Sequence, residues 1–368
     1  MAVKDDSLVL IVLENISEFG EKVNAHLKKE RKSKRNYIIP IEQVRFSNGE
    51  GKIVLRETVR AKDVYILADI GNHEVTYDIY GKKTFMTPDE HFQDIKRAIS
   101  AIKGHAAKTT VIMPLLYESR QHGRNGRESL DCAIALQELE RMGIDGIVTV
   151  DAHDPNVENA IPLLSFDNFY PTHTILSDFI EHEHVDFDNL LIISPDEGAV
   201  KRSRYYADML RVDLGLFYKR RDYSKVINGK NPIVEQKYLG KEQEGLDYII
   251  VDDMIASGGS VIEILHGLEK RKARDVYVIA PFTFFTEGTE KFDRAYEAGL
   301  FKKLYSTNLS YIPEVIRRKP WFHQVDCSAF VASIINTFHN QQPISPLLNG
   351  KKEMFNKIIE FKKNGNKE

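Results

Sequence analysis

The chain has 368 residues, 42% of them hydrophobic, with 51 basic against 54 acidic side chains and a formal net charge of −3. That length suits two domains of ordinary size, and the apolar content argues against disorder as the general state. The charge balance excludes wholesale nucleic-acid binding, and two widely separated cysteines, Cys132 and Cys327, exclude a disulfide framework and point to a reducing cytoplasm.

The apolar run 8–13, led by acidic residues, reads as a buried strand and not as a signal peptide, and no stretch approaches a membrane span. A helix is expected over 17–30, running into the basic cluster 28–35, which is either a solvated loop or a polyanion contact. Strands are expected over 38–44 and 52–55, joined by Arg45-Phe46-Ser47-Asn48-Gly49-Glu50. An Asn-Gly turn between apolar runs is first of all a hairpin signal. A strand over 64–68 and a helix over 88–103 follow, the helix with Phe92, Ile95 and Ile99 on one face.

The strand 110–116 leads into the loop 117–127, which holds Arg120, Gln121, His122, two further arginines and two glycines. Such a loop can hold phosphates or stack on a base, or it can be a basic solvent loop. After a helix over 129–142 and a strand over 147–150 comes Asp151-Ala152-His153-Asp154-Pro155. An imidazole just past a strand end can bind a metal or touch a phosphate oxygen, though taken alone it is more often structural.

A second α/β run begins near Thr172. His182 and His184 have ligand-like spacing but sit at a charged helix end and read as solvated surface. The strand 190–194 ends in Ser194-Pro195-Asp196-Glu197, a helix is expected over 200–210, and the strand 214–218 runs into Lys219-Arg220-Arg221. Three consecutive cations can stabilise a polyphosphate transition state or discourage edge-to-edge pairing. Residues 248–265 are the most informative stretch. A buried strand, 248–251, meets two carboxylates, Asp252 and Asp253. The small-residue turn Ala256-Ser257-Gly258-Gly259-Ser260 follows, then a helix with Val261, Ile264, Leu265 and Leu268 at helical spacing. Glycines that admit close backbone approach, serine hydroxyls and a helix N-terminus suit a phosphate, and acids beside it suit ribose hydroxyls or magnesium. Strands over 276–280 and 304–307 complete that sheet, the second as its last member. A helix over 326–338 and a weakly amphipathic one over 351–363 end the chain.

In fixed order, the stretches 45–50, 117–121, 149–153, Ser194-Pro195-Asp196, Lys219-Arg220-Arg221 and Asp252-Asp253-Met254-Ile255 resemble those of the ribose-phosphate pyrophosphokinases. The resemblance spans about 45–345. It implies an α/β fold of two type I phosphoribosyltransferase-like domains, each a mainly parallel sheet flanked by helices. The divisions are 1–171 for the nucleotide loop, 172–320 for the ribose 5-phosphate loop, and 321–368 for a helix and tail packing back on the N-terminal domain. It implies ATP and ribose 5-phosphate as partners, Mg2+ as cofactor, a cytoplasmic homo-oligomer (dimer or hexamer), and no nucleic acid or membrane.

By the same resemblance, Phe46, Asn48 and Glu50 reach the adenine from an adjacent subunit, and Arg120 and Gln121 contact the nucleotide. His153 and Asp196 match the magnesium-site positions, with His153, Lys219 and Arg221 as catalytic residues. Asp252 and Asp253 hold ribose hydroxyls, and Ala256, Ser257, Gly258, Gly259 and Ser260 the 5-phosphate. The chain departs from the family pattern at Ala256 and Asn48, where Asp is usual, at Ser257, where Thr is usual, and at His122, where Asp is usual. Two other readings stand beside this one: a homologue that has lost catalysis and serves as a regulatory subunit, and a phosphoribosyltransferase using the same loop.

Overall fold

The computed structural model describes residues 5–124, 126–221, 233–348 and 350–365, and their side chains except at 5, 219–221, 233–236, 348 and 363–365. It divides into two units, one of residues 1–171, 308–312 and 326–349, the other of 172–307, 313–325 and 350–368.

The strands of the first unit are β1 (Leu8–Val12), β2 (Ile41–Arg45), β3 (Gly51–Leu55), β4 (Asp63–Leu67), β5 (Thr76–Ile79), β6 (Lys82–Phe85), β7 (Lys108–Ile112), β8 (Gly146–Val150) and β9 (Ser165–Phe169). Five of them form one parallel sheet in the order β1-β4-β7-β8-β9. Both β1 and β8 are buried along their whole length, which is why they read as unbroken apolar or Val/Thr runs and not as an alternation. Three helices, α1 (Ser17–Glu30), α2 (Pro88–Ile102) and α3 (Asp131–Arg141), connect them. Thr87 and Glu90 close a capping box at the start of α2, with Pro88 in its first turn.

Two hairpins stand apart from this sheet, β2–β3 as expected and β5–β6 with no signal read from the sequence. Tyr80 and Gly81 at the second turn both take positive φ, 48° and 73°, as a two-residue hairpin turn requires. The helix Ser328–His339 packs against α1. Arg31 donates to Asn336 Oδ1 at 2.8 Å, Ser333 Oγ donates to Glu30 at 2.6 Å, and the buried His339 Nδ1 lies 2.8 Å from Asp63 Oδ2.

The second unit has β10 (Leu190–Ser194), β11 (Asp213–Arg221), β12 (Ile233–Leu239), β13 (Asp247–Val251), β14 (Met254–Ile255), β15 (Val276–Ile279), β16 (Phe282–Thr283), β17 (Lys303–Thr307) and β18 (Phe322–Val325). Seven of these form a sheet in the order β12-β11-β10-β13-β15-β17-β18, parallel except for β12. The helices flanking it include α4 (Thr172–His182), α5 (Val200–Leu210), α6 (Gly259–Glu269) and α7 (Glu290–Glu297). Residues 304–307 are therefore not the last strand, because Phe322–Val325 adds an edge with Phe322 and Val325 buried. Four residues are too few for a period to declare itself.

The final helix, Lys351–Gly365, packs on α4 and α5 of the second unit, and not on the N-terminal domain. Met354 and Ile358, one turn apart, are both buried, and the Arg211 guanidinium lies 3.7 Å from the centre of the Phe355 ring. Among the described residues no helix is long and apolar enough to cross a membrane.

Candidate active site

The sequence of β13 dictates a buried parallel strand, and every residue of it is buried. Its carboxyl end delivers Asp252 and Asp253 beside the end of its neighbour β10, from which Asp196 follows after Pro195. The Asp252 backbone is pinned by its N–H, which donates to Ile279 O at 3.0 Å, and the Asp253 N–H donates to Asp252 Oδ1 at 3.0 Å. Asp253 is only 3% exposed, with Arg202 of α5 at 3.9 Å.

Burial drives the Asp252 carboxyl well above the usual carboxylate range, and the charge of Asp253 pushes it further. Arg202 opposes this, and Asp196 adds to it. Three carboxylates thus share one corner. That is an environment a hard divalent cation relieves, and its oxygen donors suit magnesium.

The turn after these acids is held by short pairings. The two residues of β14 pair with β16, Phe284 N–H donates to Ile255 O at 2.8 Å, and Thr286 N–H donates to Ala256 O at 2.9 Å. Gly258 caps α6 in the left-handed region, φ 79°, and a Cβ there would meet the Phe292 ring at 2.3 Å. Only glycine satisfies both conditions. With Gly258 so placed, the first N–H groups of the 11-residue helix α6 open toward the loop, with no acidic residue in its first turn. A phosphate at this end meets backbone donors and the positive end of the helix dipole. Ser257 is half-buried and Ser260 exposed, so both stay accessible.

Lys219 and Arg221 lie on β11, next to β10 in the sheet, and their side chains fall outside the described residues. Asp196 is exposed, and its Oδ1 accepts from the Ala199 N–H at 3.0 Å.

In the first unit the expected nucleotide residues occupy two places. Phe46, Asn48 and Glu50 are all exposed on the β2–β3 turn. Asn48 Nδ2 donates to Glu50 at 3.0 Å, and Gly49, at φ 92°, donates to Phe46 O at 2.8 Å. Tyr80 N–H, from the second hairpin, donates to Ser47 O at 2.9 Å. Beneath this turn Arg45 and Arg97 each hold the buried Asp94 at 2.7 Å, which fixes the hairpin's base.

Arg120 and Gln121 are exposed on a 3-10 turn beyond β7. His153 is exposed beyond β8, the strand beside β7. The structure brings these two loops together through His122, whose ring centre lies 5.3 Å from that of His153 and whose Nε2 is 3.6 Å from Asp154. His122 and Arg202 thus join the candidate residues. His122 already stood out in the sequence as a departure from the family pattern, whereas Arg202 carries no signal beyond a basic side chain in a helix.

A fourth carboxylate carries no signal in the sequence. Asp69 lies two residues past the end of β4, is 1% exposed, and accepts from Ser310 Oγ at 2.9 Å, Tyr311 N–H at 2.7 Å and Gly71 N–H at 2.8 Å. Burial lifts its pKa to about 6, even though these donors pull it down.

Fold and site together define an α/β protein of the phosphoribosyltransferase type, with a glycine-capped anion loop and paired acids at its sheet's carboxyl end. Comparison with known proteins narrows this. Residues 8–143 match the N-terminal domain of ribose phosphate pyrophosphokinase, and residues 173–312 match the phosphoribosyl transferase domain. The ribose-phosphate pyrophosphokinase of Ralstonia nicotianae is 29% identical over 236 residues, 63% of this chain and 67% of that one. That of Mycoplasma genitalium is 28% identical over 306 residues, 82% of this chain and 84% of that one. The crystal structure of phosphoribosylpyrophosphate synthetase from Mycobacterium smegmatis shares the fold with a TM-score of 0.73 at 22% identity, covering 91% of this chain and 99% of that one. The chain belongs to the ribose-phosphate pyrophosphokinase family of enzymes.

Proposed function

We propose that this protein transfers the β,γ-diphosphoryl group of ATP, as its magnesium complex, to the C1 hydroxyl of ribose 5-phosphate, giving phosphoribosyl diphosphate and AMP. The bond formed joins the C1 oxygen to the β phosphorus. The bond broken joins that phosphorus to the oxygen bridging to the α phosphate.

The observation that carries the reading is the pairing of Asp252 and Asp253 with the Gly258-capped start of α6, an acid pair for a sugar diol beside a backbone cradle for its phosphate. In this reading Ala256, Ser257, Gly258, Gly259 and Ser260 hold the 5-phosphate, and Asp252 and Asp253 the ribose hydroxyls. Arg120, Gln121, Phe46, Asn48 and Glu50 hold the nucleotide, the last three reaching into an adjacent subunit of a homo-oligomer. Asp196 and His153 hold magnesium, which, when bound, neutralises charge developing on the transferred phosphoryl oxygens. His153 acts with Lys219 and Arg221, the two cations stabilising that charge directly. The reaction belongs to a cytoplasmic enzyme of nucleotide precursor supply.

The deciding experiment incubates the purified protein with Mg-ATP and ribose 5-phosphate and measures AMP and phosphoribosyl diphosphate. Equal amounts of both, absent without the sugar, support the reading. No product with any of several nucleoside triphosphates, with or without inorganic phosphate, would replace it with the regulatory homologue. ATP left unconsumed while a nucleobase is converted would replace it with a phosphoribosyltransferase. Lys219→Ala is expected to lower kcat by about 100- to 1000-fold, the range for losing one transition-state donor, with an unchanged urea midpoint.

A further inference from the structure

A second group of ligand-type side chains lies on the second unit, away from the β13–α6 loop. Asp178 and His182 are one turn apart on α4, so both side chains emerge on the same face of that helix. His323 comes from β18, the edge strand of the sheet. Asp178 Oδ1 lies 2.6 Å from His323 Nε2 and 3.2 Å from His182 Nδ1, and the two imidazole ring centres are 4.6 Å apart. One ligand atom from each residue falls within 4.8 Å of the other two. In a tetrahedral site with bonds of about 2.0–2.2 Å, ligand atoms sit roughly 3.3 Å from one another. The Asp178–His182 separation already matches that spacing, and the Asp178–His323 separation is shorter by about 0.7 Å.

An ordinary charge-paired helix end would use the same residues, but its geometry would differ. Asp178 Oδ1 is shut off from solvent and makes no well-formed hydrogen bond, although two ring nitrogens converge on it. In a plain ion pair at 2.6 Å the ring N–H would point at that oxygen. A buried carboxylate oxygen left without such a donor, beside two ring nitrogens, is one that a shared cation would satisfy.

We propose that Asp178, His182 and His323 form a site for a borderline divalent transition metal, zinc being the best match. Two imidazole nitrogens and one carboxylate oxygen select that class over magnesium, which prefers an all-oxygen octahedron. His182 is half-exposed at the last residue of α4, which gives the ion an entry path and leaves a coordination position for water. Its Nδ1 lies 2.8 Å from the Asp178 main-chain oxygen, so binding through Nδ1 requires the Nε2–H tautomer and releases that carbonyl contact. The ion would clamp α4 to the sheet's edge strand.

The test uses the full chain, stripped of metal and held in excess Mg2+, titrated with Zn2+ by calorimetry and followed by thermal melting. Wild type is expected to take up one more zinc per chain than the His182→Gln/His323→Gln double variant, with a melting temperature raised by zinc only in wild type. Equal zinc uptake and equal shifts in the two proteins would overturn the site. Should the double variant fail to fold, Asp178→Asn replaces it and the Co2+ spectrum of wild type decides. Intense tetrahedral d–d bands displaced by zinc support the proposal, and the weak spectrum of octahedral cobalt overturns it.

Discussion

Asp69 in the first unit and Asp252 in the second both stand just past the carboxyl end of a parallel strand, and both carboxyls titrate above their ordinary range because of burial. Their surroundings differ. Asp69 is met by a hydroxyl and two main-chain N–H groups, two of the three from Ser310 and Tyr311, far along the chain. Asp252 is met by a second buried carboxylate, with Asp196 adding to the repulsion and Arg202 offsetting it in part. A buried acid surrounded by donors ties a structure together. A buried acid facing other acids is stabilised by what arrives from solution.

The comparison breaks if the two residues exchange phenotypes. Asp252→Asn removes like-charge repulsion, so its melting temperature should equal or exceed that of wild type while turnover falls by about 100-fold or more. Turnover near normal would remove Asp252 from the site.

Asp69→Ala strands three donors and is expected to destabilise the first unit by about 2–4 kcal/mol, read from hydrogen exchange of the Gly71 and Tyr311 amides. The protein that remains folded should keep its activity. The same residue predicts a pH dependence. Its folded-state pKa, about 6, lies above the ordinary carboxylate's ~3.9. The stabilisation it confers is therefore complete below about pH 4 and is lost as pH rises through 6, a change on the order of 2–3 kcal/mol. Asp69→Asn should flatten that slope while keeping the acceptor oxygen.

Gly258→Ala sharpens the contrast from the backbone side. A side chain at φ 79° and against the Phe292 ring is expected to destabilise by about 1–3 kcal/mol and to raise KM for ribose 5-phosphate. Phe46→Ala gives the smallest expected effect. This ring is 45% exposed, so stability should move by less than about 0.5 kcal/mol while KM for ATP rises several-fold.

How much of this the sequence disclosed follows from how local each feature is. The strand, acid pair, glycine turn and helix of 248–265 are contiguous, and each element declares its period or its special φ within a few residues. The hairpin at Tyr80-Gly81 is equally local, yet its strands are four residues each with no residue fully buried, so no alternation marks them. Asp69 was invisible because its meaning depends on donors more than 200 residues away. His182 is exposed, as its sequence context indicates. The partner that changes its reading, His323, lies on an edge strand that no pattern announced.

The helix Ser328–His339 and the segment 308–312 belong to the unit that begins at β1. On a ribosome, the first unit would hold its sheet strands long before it receives the helix that packs on α1, or the hydroxyl and amide that satisfy Asp69. Until residue 339 emerges, α1 exposes an apolar face and Asp63 lacks its buried histidine. Vectorial synthesis therefore offers this unit no early stopping point. A fragment ending at 171 should bind chaperones and aggregate, and acquisition of protease resistance by the nascent chain should be late and abrupt, not in two steps.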